Sequence, residues 1–277
     1  MNNVKKALER VLLQVQKPAR YTGGEVGSIV KDASKVDVRF AFCFPDLYEV
    51  GMSHLGMKIL YSLTNKREDC WCERVFAPDQ DFETIMREHH IPLYGLESLD
   101  AITDFDFIAF TLQYEMSFTA ILNMLDLAGV EVRSQDRGWD KLSPVVIAGG
   151  PCACNPEPIA DFIDLFILGE GEEVNMELID LYKQCKQEGT DKRTFLQRAA
   201  QIEGIYVPSL YTIDYHEDGT IESVTPSCGA PKVVHKRIIK DLDQVYYPDN
   251  FIVPFTETVH DRAMVEVLRG CIRGCRF

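Results

Sequence analysis

Basic charge is scarce in this chain of 277 residues: 29 lysines and arginines stand against 43 aspartates and glutamates, a formal net charge of −14. A phosphate backbone asks for a basic face, so general nucleic-acid binding is not expected. Small ligands answer to the local site and are not excluded by that balance. No uninterrupted apolar run approaches the roughly 18 residues of a membrane span. The first apolar stretch, residues 7–13, is broken by Glu9 and Arg10, unlike a secretory leader. A cytoplasmic chain with no membrane partner is therefore expected. The nine cysteines are an odd number, which argues against a complete disulfide framework. In a reducing compartment most should be free thiols, with metal or cluster ligation as the minority use. Two nucleotide signatures are also missing. G-x-x-x-x-G-K-[ST] is absent, which disfavours a P-loop, and no G-x-G-x-x-G follows the first expected strand, which disfavours an ordinary dinucleotide site. Internal repeats and low-complexity tracts are absent too.

What is present is ordinary globular composition, 46% hydrophobic and 26% charged, enough for one large domain or two modest ones. Val4, Leu8, Val11, Leu12 and Val15 fall at helical spacing and predict an amphipathic helix over 2–15. From residue 36 short apolar runs alternate with longer amphipathic stretches. Strands are expected at 38–43, 73–76, 107–111, 145–148 and 165–168. Helical segments are expected at 51–63, 82–89, 117–128, 159–162 and 172–188. That alternation implies parallel pairing with right-handed crossovers, and continuous apolar strands imply a sheet covered on both faces. The fold class is α/β: a flavodoxin-like, doubly wound parallel sheet over 36–190, with the class order 2-1-3-4-5. The pattern then changes. A helix is expected over 191–201, and Asp218-Gly219 between alternating runs predicts a hairpin of 210–215 with 221–224. Residues 225–258, with Pro226, Pro231, Pro248 and Pro254, read as an extended linker, and 264–268 as a further apolar strand. The expected division is thus a helix and loop at 1–35, the sheet domain at 36–190, helix, hairpin and linker at 191–258, and the start of another domain at 259–277.

Ligands of open parallel sheets bind outside the carboxyl ends of the strands. Loops 44–56, 112–117, 149–155 and 169–172 should converge there, and three of them carry glycine, which permits close backbone approach. The candidate ligand contacts are Gly149, Gly150, Gly169, Gly171, Ser117 and His54. His54 is open to two readings: a ligand of a metal or of corrinoid cobalt, or a side chain donating to a loop carbonyl.

Among the cysteines, Cys70-Trp71-Cys72 and Cys152-Ala153-Cys154 lack a partner pair at zinc-finger spacing. Packing is the expected role of the first pair, while the second lies on the ligand edge. Cys43 and Cys185 read as small core residues, and Cys228 falls in the linker. Cys271-x-x-x-Cys275 directly follows an apolar run within Arg269-Gly270-Cys271-Ile272-Arg273-Gly274-Cys275-Arg276-Phe277. Two such cysteines can turn their thiolates to one point, although half of a zinc site would look alike.

That last stretch resembles the opening of the radical S-adenosylmethionine (SAM) signature C-x-x-x-C-x-x-C, whose third cysteine would be residue 278. Gly149-Gly150-Pro151 and Gly169-Glu170-Gly171-Glu172-Glu173 resemble the cobalamin-binding-like domain that precedes many radical SAM barrels. The resemblance covers residues 36–277. It implies that Cys271 and Cys275 ligate a [4Fe–4S] cluster, that SAM binds the remaining iron, and that an electron donor reduces the cluster so that SAM is cleaved to a radical. It also implies that Gly149, Gly150, Gly169 and Gly171 approach a cobalamin-like ligand. The signature D-x-H-x-x-G is absent, because Met52 and Ser53 precede His54, so a corrinoid is expected to bind without His54 on cobalt. The chain reads as truncated within the cysteine motif and by itself inactive. The alternatives are a non-catalytic corrinoid- or small-molecule-binding module, or a zinc-stapled interaction protein.

Overall fold

The computed structural model describes residues 3–260 and 262–276. The N-terminal helix α1 spans Asn3–Val11, and a 3-10 turn at Leu12–Gln14 replaces the end of the longer helix expected to 15. The sheet domain then runs β1 (Val38–Phe44), α2 (Tyr48–Gly51), α3 (Leu55–Asn65), β2 (Cys70–Phe76), α4 (Gln80–His89), β3 (Phe107–Thr111), α5 (Phe118–Ala128), β4 (Val145–Gly149), β5 (Leu165–Ile167) and α6 (Gly171–Glu188). It is followed by α7 (Lys192–Ala199), β6 (Ile205–Tyr206) and the hairpin β7 (Tyr211–Tyr215) with β8 (Ile221–Pro226). Local chemistry sets several boundaries. The Asp79 carboxylate caps α4 and the Asp191 carboxylate caps α7 through the Thr194 amide. Helices α5 and α6 stop at Gly129 and Gly189, both left-handed.

The main sheet has the order β2-β1-β3-β4-β5-β6. β1 to β5 are parallel, as the alternation implied, and their residues are almost wholly buried on both faces. β6 adds an antiparallel edge to β5. Two residues are too few to leave a periodic signal, so the sheet reaches past residue 190 unannounced. β2 begins at Cys70 rather than 73. Cys70 and Cys72 are therefore buried strand residues, and burial pushes the Cys70 thiol up to about 12. The run 264–268 forms no ladder among the described residues, and Val265, Val267 and Leu268 are exposed. An apolar run becomes a strand only where its backbone groups find a partner, and sequence pattern cannot supply one.

Beneath β2 lies an ionic centre. The Arg74 guanidinium, 1% exposed, donates to both oxygens of Glu25 (3.0 and 2.7 Å) and from Nε to Glu97 (2.7 Å); both carboxylates are fully buried. The Tyr48 hydroxyl donates to the same Glu25. This network ties the irregular segment around residue 25 to the sheet. The linker is tied as well: the Arg237 amide donates to the Leu168 carbonyl, and the Arg237 carbonyl accepts from Glu170 N–H.

Candidate functional site

The chain turns from β1 to β2 on one side and to β3 on the other, which opens a crevice at the carboxyl ends of the strands. Across the parallel register Phe42, Ala109 and Ile147 share one face, as do Thr111, Gly149 and Ile167. Ala109 and Gly149 leave the middle of that face unfilled. α3 and α6 cover it, and a cavity of about 350 Å³ remains between sheet and helices. That volume is within the range of small-molecule sites. Its walls include Phe40, Phe42, Ile59 and Leu60; its polar groups include His54, Gln113, Asn175, Glu170, Glu172, Glu266 and Arg269.

The structure brings Gly149, Gly150, Gly169, Gly171 and His54 to this one cavity. Ser117 does not line it; that hydroxyl is spent on the Tyr114 carbonyl. Two of the glycines serve the backbone itself. Gly150 has φ +112°, and an added Cβ would stand 2.8 Å from the Leu112 carbonyl oxygen. At Gly169, φ is +97° and a Cβ would meet the Arg237 carbonyl oxygen at 2.1 Å.

His54 takes neither of the roles its position suggested. It is the N-cap of α3, and its Nδ1 accepts the Met57 amide at 3.1 Å. In the neutral ring the proton then lies on Nε2, and Gln113 is a further side-chain partner of the ring. Burial holds the imidazole below the usual histidine range, against a smaller opposing effect of Gln113. Neither nitrogen offers a free lone pair, so the residue does not fit the cobalt-ligating histidine of a base-off corrinoid. With its affinity for protons lowered by folding, His54 makes stability rise with pH as the unfolded imidazole deprotonates near about 6.5. The melting temperature should therefore drop on going from about pH 7.5 to about pH 5.5. His54→Asn keeps an N-cap acceptor that does not titrate and should shrink the drop; equal slopes for both proteins would assign it to another group.

Arg269 is the feature the sequence motif contained but did not single out. Its guanidinium pairs with Glu170 at 3.3 Å, with Glu172, and with Glu266 at 2.8 Å. These hydrogen bonds and charges raise the Arg269 pKa above its ordinary value, against the effect of burial. Glu170 and Glu172 flank the start of α6, so the loop after β5 holds the segment that carries the cysteines. Cys271 and Cys275, two and six residues further on, are exposed free thiols. Cys152 and Cys154 lie on the neighbouring loop as free thiols and do not line the cavity. Among the described residues there is no group of three or more histidine, cysteine or acidic side chains arranged to hold a metal ion. None of the described helices is long and apolar enough to cross a membrane.

Comparison with known proteins bears on this geometry. The family described as radical SAM proteins, N-terminal, matches residues 56–208. The chain belongs to this family. That stretch runs from the first turn of α3 through β6 and so includes every strand-end loop of the cavity except the one after β1. An uncharacterized protein of Methanocaldococcus jannaschii is 25% identical over 241 residues, which is 86% of this chain and 40% of that protein. The chain thus spans two-fifths of the length of this curated relative. No solved structure matches the chain.

Proposed function

We propose that the chain is the N-terminal part of a radical SAM enzyme, in which Cys271 and Cys275 hold two irons of a [4Fe–4S] cluster beside a small-molecule cavity in the sheet domain. The observation that carries this reading is Arg269. It belongs to the cysteine motif, lines the cavity and is bound by Glu170 and Glu172 of the glycine loop. One arginine thereby joins the two features that the sequence showed separately. The thiols fit cluster ligation: both are exposed, and the segment bears Gly270 and Gly274, so it can turn both sulfurs to one side. A bound cluster would supply the electron for SAM cleavage, drawn from an external donor. This chain's own residues would position the motif, through Arg269, and keep a ligand cavity beneath it. Cys271 and Cys275 are two of the three cysteines of the signature, and the third would stand at 278.

Anaerobic reconstitution of the 277-residue chain and of the gene product continued through the next domain tests the reading. The longer protein should retain about four irons and an equal amount of sulfide, the shorter far less. Cys271→Ala or Cys275→Ala in the longer protein should remove the cluster. Retention of the cluster by either variant would overturn the assignment.

A further inference from the structure

We propose that the cavity takes a small neutral molecule with a carboxamide-type edge, a hydrogen-bond donor beside an acceptor, on an apolar body. The proposal rests on the cavity being a ligand site and is independent of the cluster. Asn175, on the second turn of α6, lines the cavity and is only 5% exposed. Its side-chain amide makes no hydrogen bond to any described residue, whereas the buried side chains nearby, such as Thr111, are engaged. The amide opens onto the cavity rather than being sealed in the core, and its natural complement is a group that can both accept from its NH₂ and donate to its carbonyl.

The charges at the cavity narrow the class. Glu170, Glu172 and Glu266 face a single cation, Arg269, which they already occupy. An anion would meet excess negative charge with no free lysine or arginine among the described residues of the lining to receive it. A cation would find most of the carboxylate oxygens already taken: Arg269 holds both oxygens of Glu266 and one each of Glu170 and Glu172, and the other Glu170 oxygen accepts the Ile239 amide. A neutral polar edge meets neither obstacle. The remaining surface, Phe40, Phe42 and Leu60 among it, suits an apolar body. His54 adds no open metal-binding nitrogen, so the site also differs in chemistry from a histidine-ligated corrinoid pocket.

Benzamide, benzoate and benzamidine share one shape and differ in the charge and donor pattern of the edge, which makes them the probes. Titrated into the ¹⁵N-labelled 277-residue chain, benzamide should shift the Asn175 side-chain amide resonances saturably. Benzoate and benzamidine should bind at least about tenfold more weakly. Asn175→Leu should weaken benzamide by roughly tenfold or more. Ala109→Leu, which fills the empty face, should abolish binding while the fold persists. Absence of a benzamide shift at Asn175, tighter binding of either charged probe, or unchanged benzamide affinity of Asn175→Leu would each overturn the proposal. Iron retention by the longer protein is untouched by any of these results, so the failure of one reading does not conceal the fate of the other.

Discussion

Arg74→Met is expected to lower the melting temperature of the chain by roughly 10 °C, because it leaves buried charges without their partner. Glu25 and Glu97 have no exposed side-chain surface, and Arg74 is the cation they share. Burial by itself would raise the Glu25 carboxyl, but the hydrogen bonds and charge of Arg74 outweigh it and hold it below the usual range. In the native protein this contributes stability that is present above the unfolded carboxyl value of about 4.3 and is lost as pH falls through the lower folded value. Without Arg74 the sign reverses: the buried carboxyl then titrates above its unfolded value, so the variant is most penalised at neutral pH and recovers part of the loss as pH falls. The gap between the two melting temperatures should accordingly narrow from pH 7 toward pH 5, as followed by calorimetry. A triple variant, Arg74→Met with Glu25→Gln and Glu97→Gln, should regain much of the deficit, since it leaves no unpaired charge. A single variant as stable as the parent at neutral pH would show that the ionic centre does not hold the segment around residue 25 in place.

The second large effect is expected at Arg269. Arg269→Glu replaces the cation among three carboxylates with a fourth negative charge, so attraction becomes repulsion at close range. Released from the loop after β5, the segment 262–276 should exchange its amide hydrogens and be cut by trypsin at Arg273 roughly tenfold faster or more. Stability of the sheet domain should hardly change, because its core does not include this residue. Arg269→Lys keeps the charge but not the fork of donors, and should fall between the two. Unaltered exchange over 262–276 in Arg269→Glu would remove the link between the cysteine motif and the cavity.

The parallel strands were legible because each of β1 to β5 is a short apolar run set between amphipathic stretches, a pattern that local chemistry writes directly into the chain; their order came from the fold class and not from that pattern. The rim was legible for the same reason: once the strands are parallel, the segments after them must emerge on one edge, so Gly149, Gly150, Gly169, Gly171 and His54 were bound to lie near one another. The pair Cys271 and Cys275 was visible in the spacing, but spacing alone left half of a zinc site equally open, and it took the family resemblance to point to a cluster. What needed the tertiary structure was everything that depends on register or on partners distant in sequence. Ala109 and Gly149 are unremarkable as residues; only the pairing of β3 with β4, which sets Ala109 beside Ile147 and Thr111 beside Gly149, puts them on one face and leaves a cavity. His54 was read as a ligand or a donor, and the N-terminus of α3 made it a capping acceptor instead. Ser117 was spent on its own turn. Arg269 and Glu172 are 97 residues apart, and Arg74 meets Glu25 across 49; no periodicity reports such pairs. The run 264–268 shows the converse limit: apolar pattern proposes a strand, but hydrogen-bond partners decide whether one exists. Local periodicity therefore fixes the layers and the edge onto which the strand-end loops open. Only the folded chain decided which side chains face the cavity and which charges meet, because those follow from contacts between segments that the periodicity cannot see.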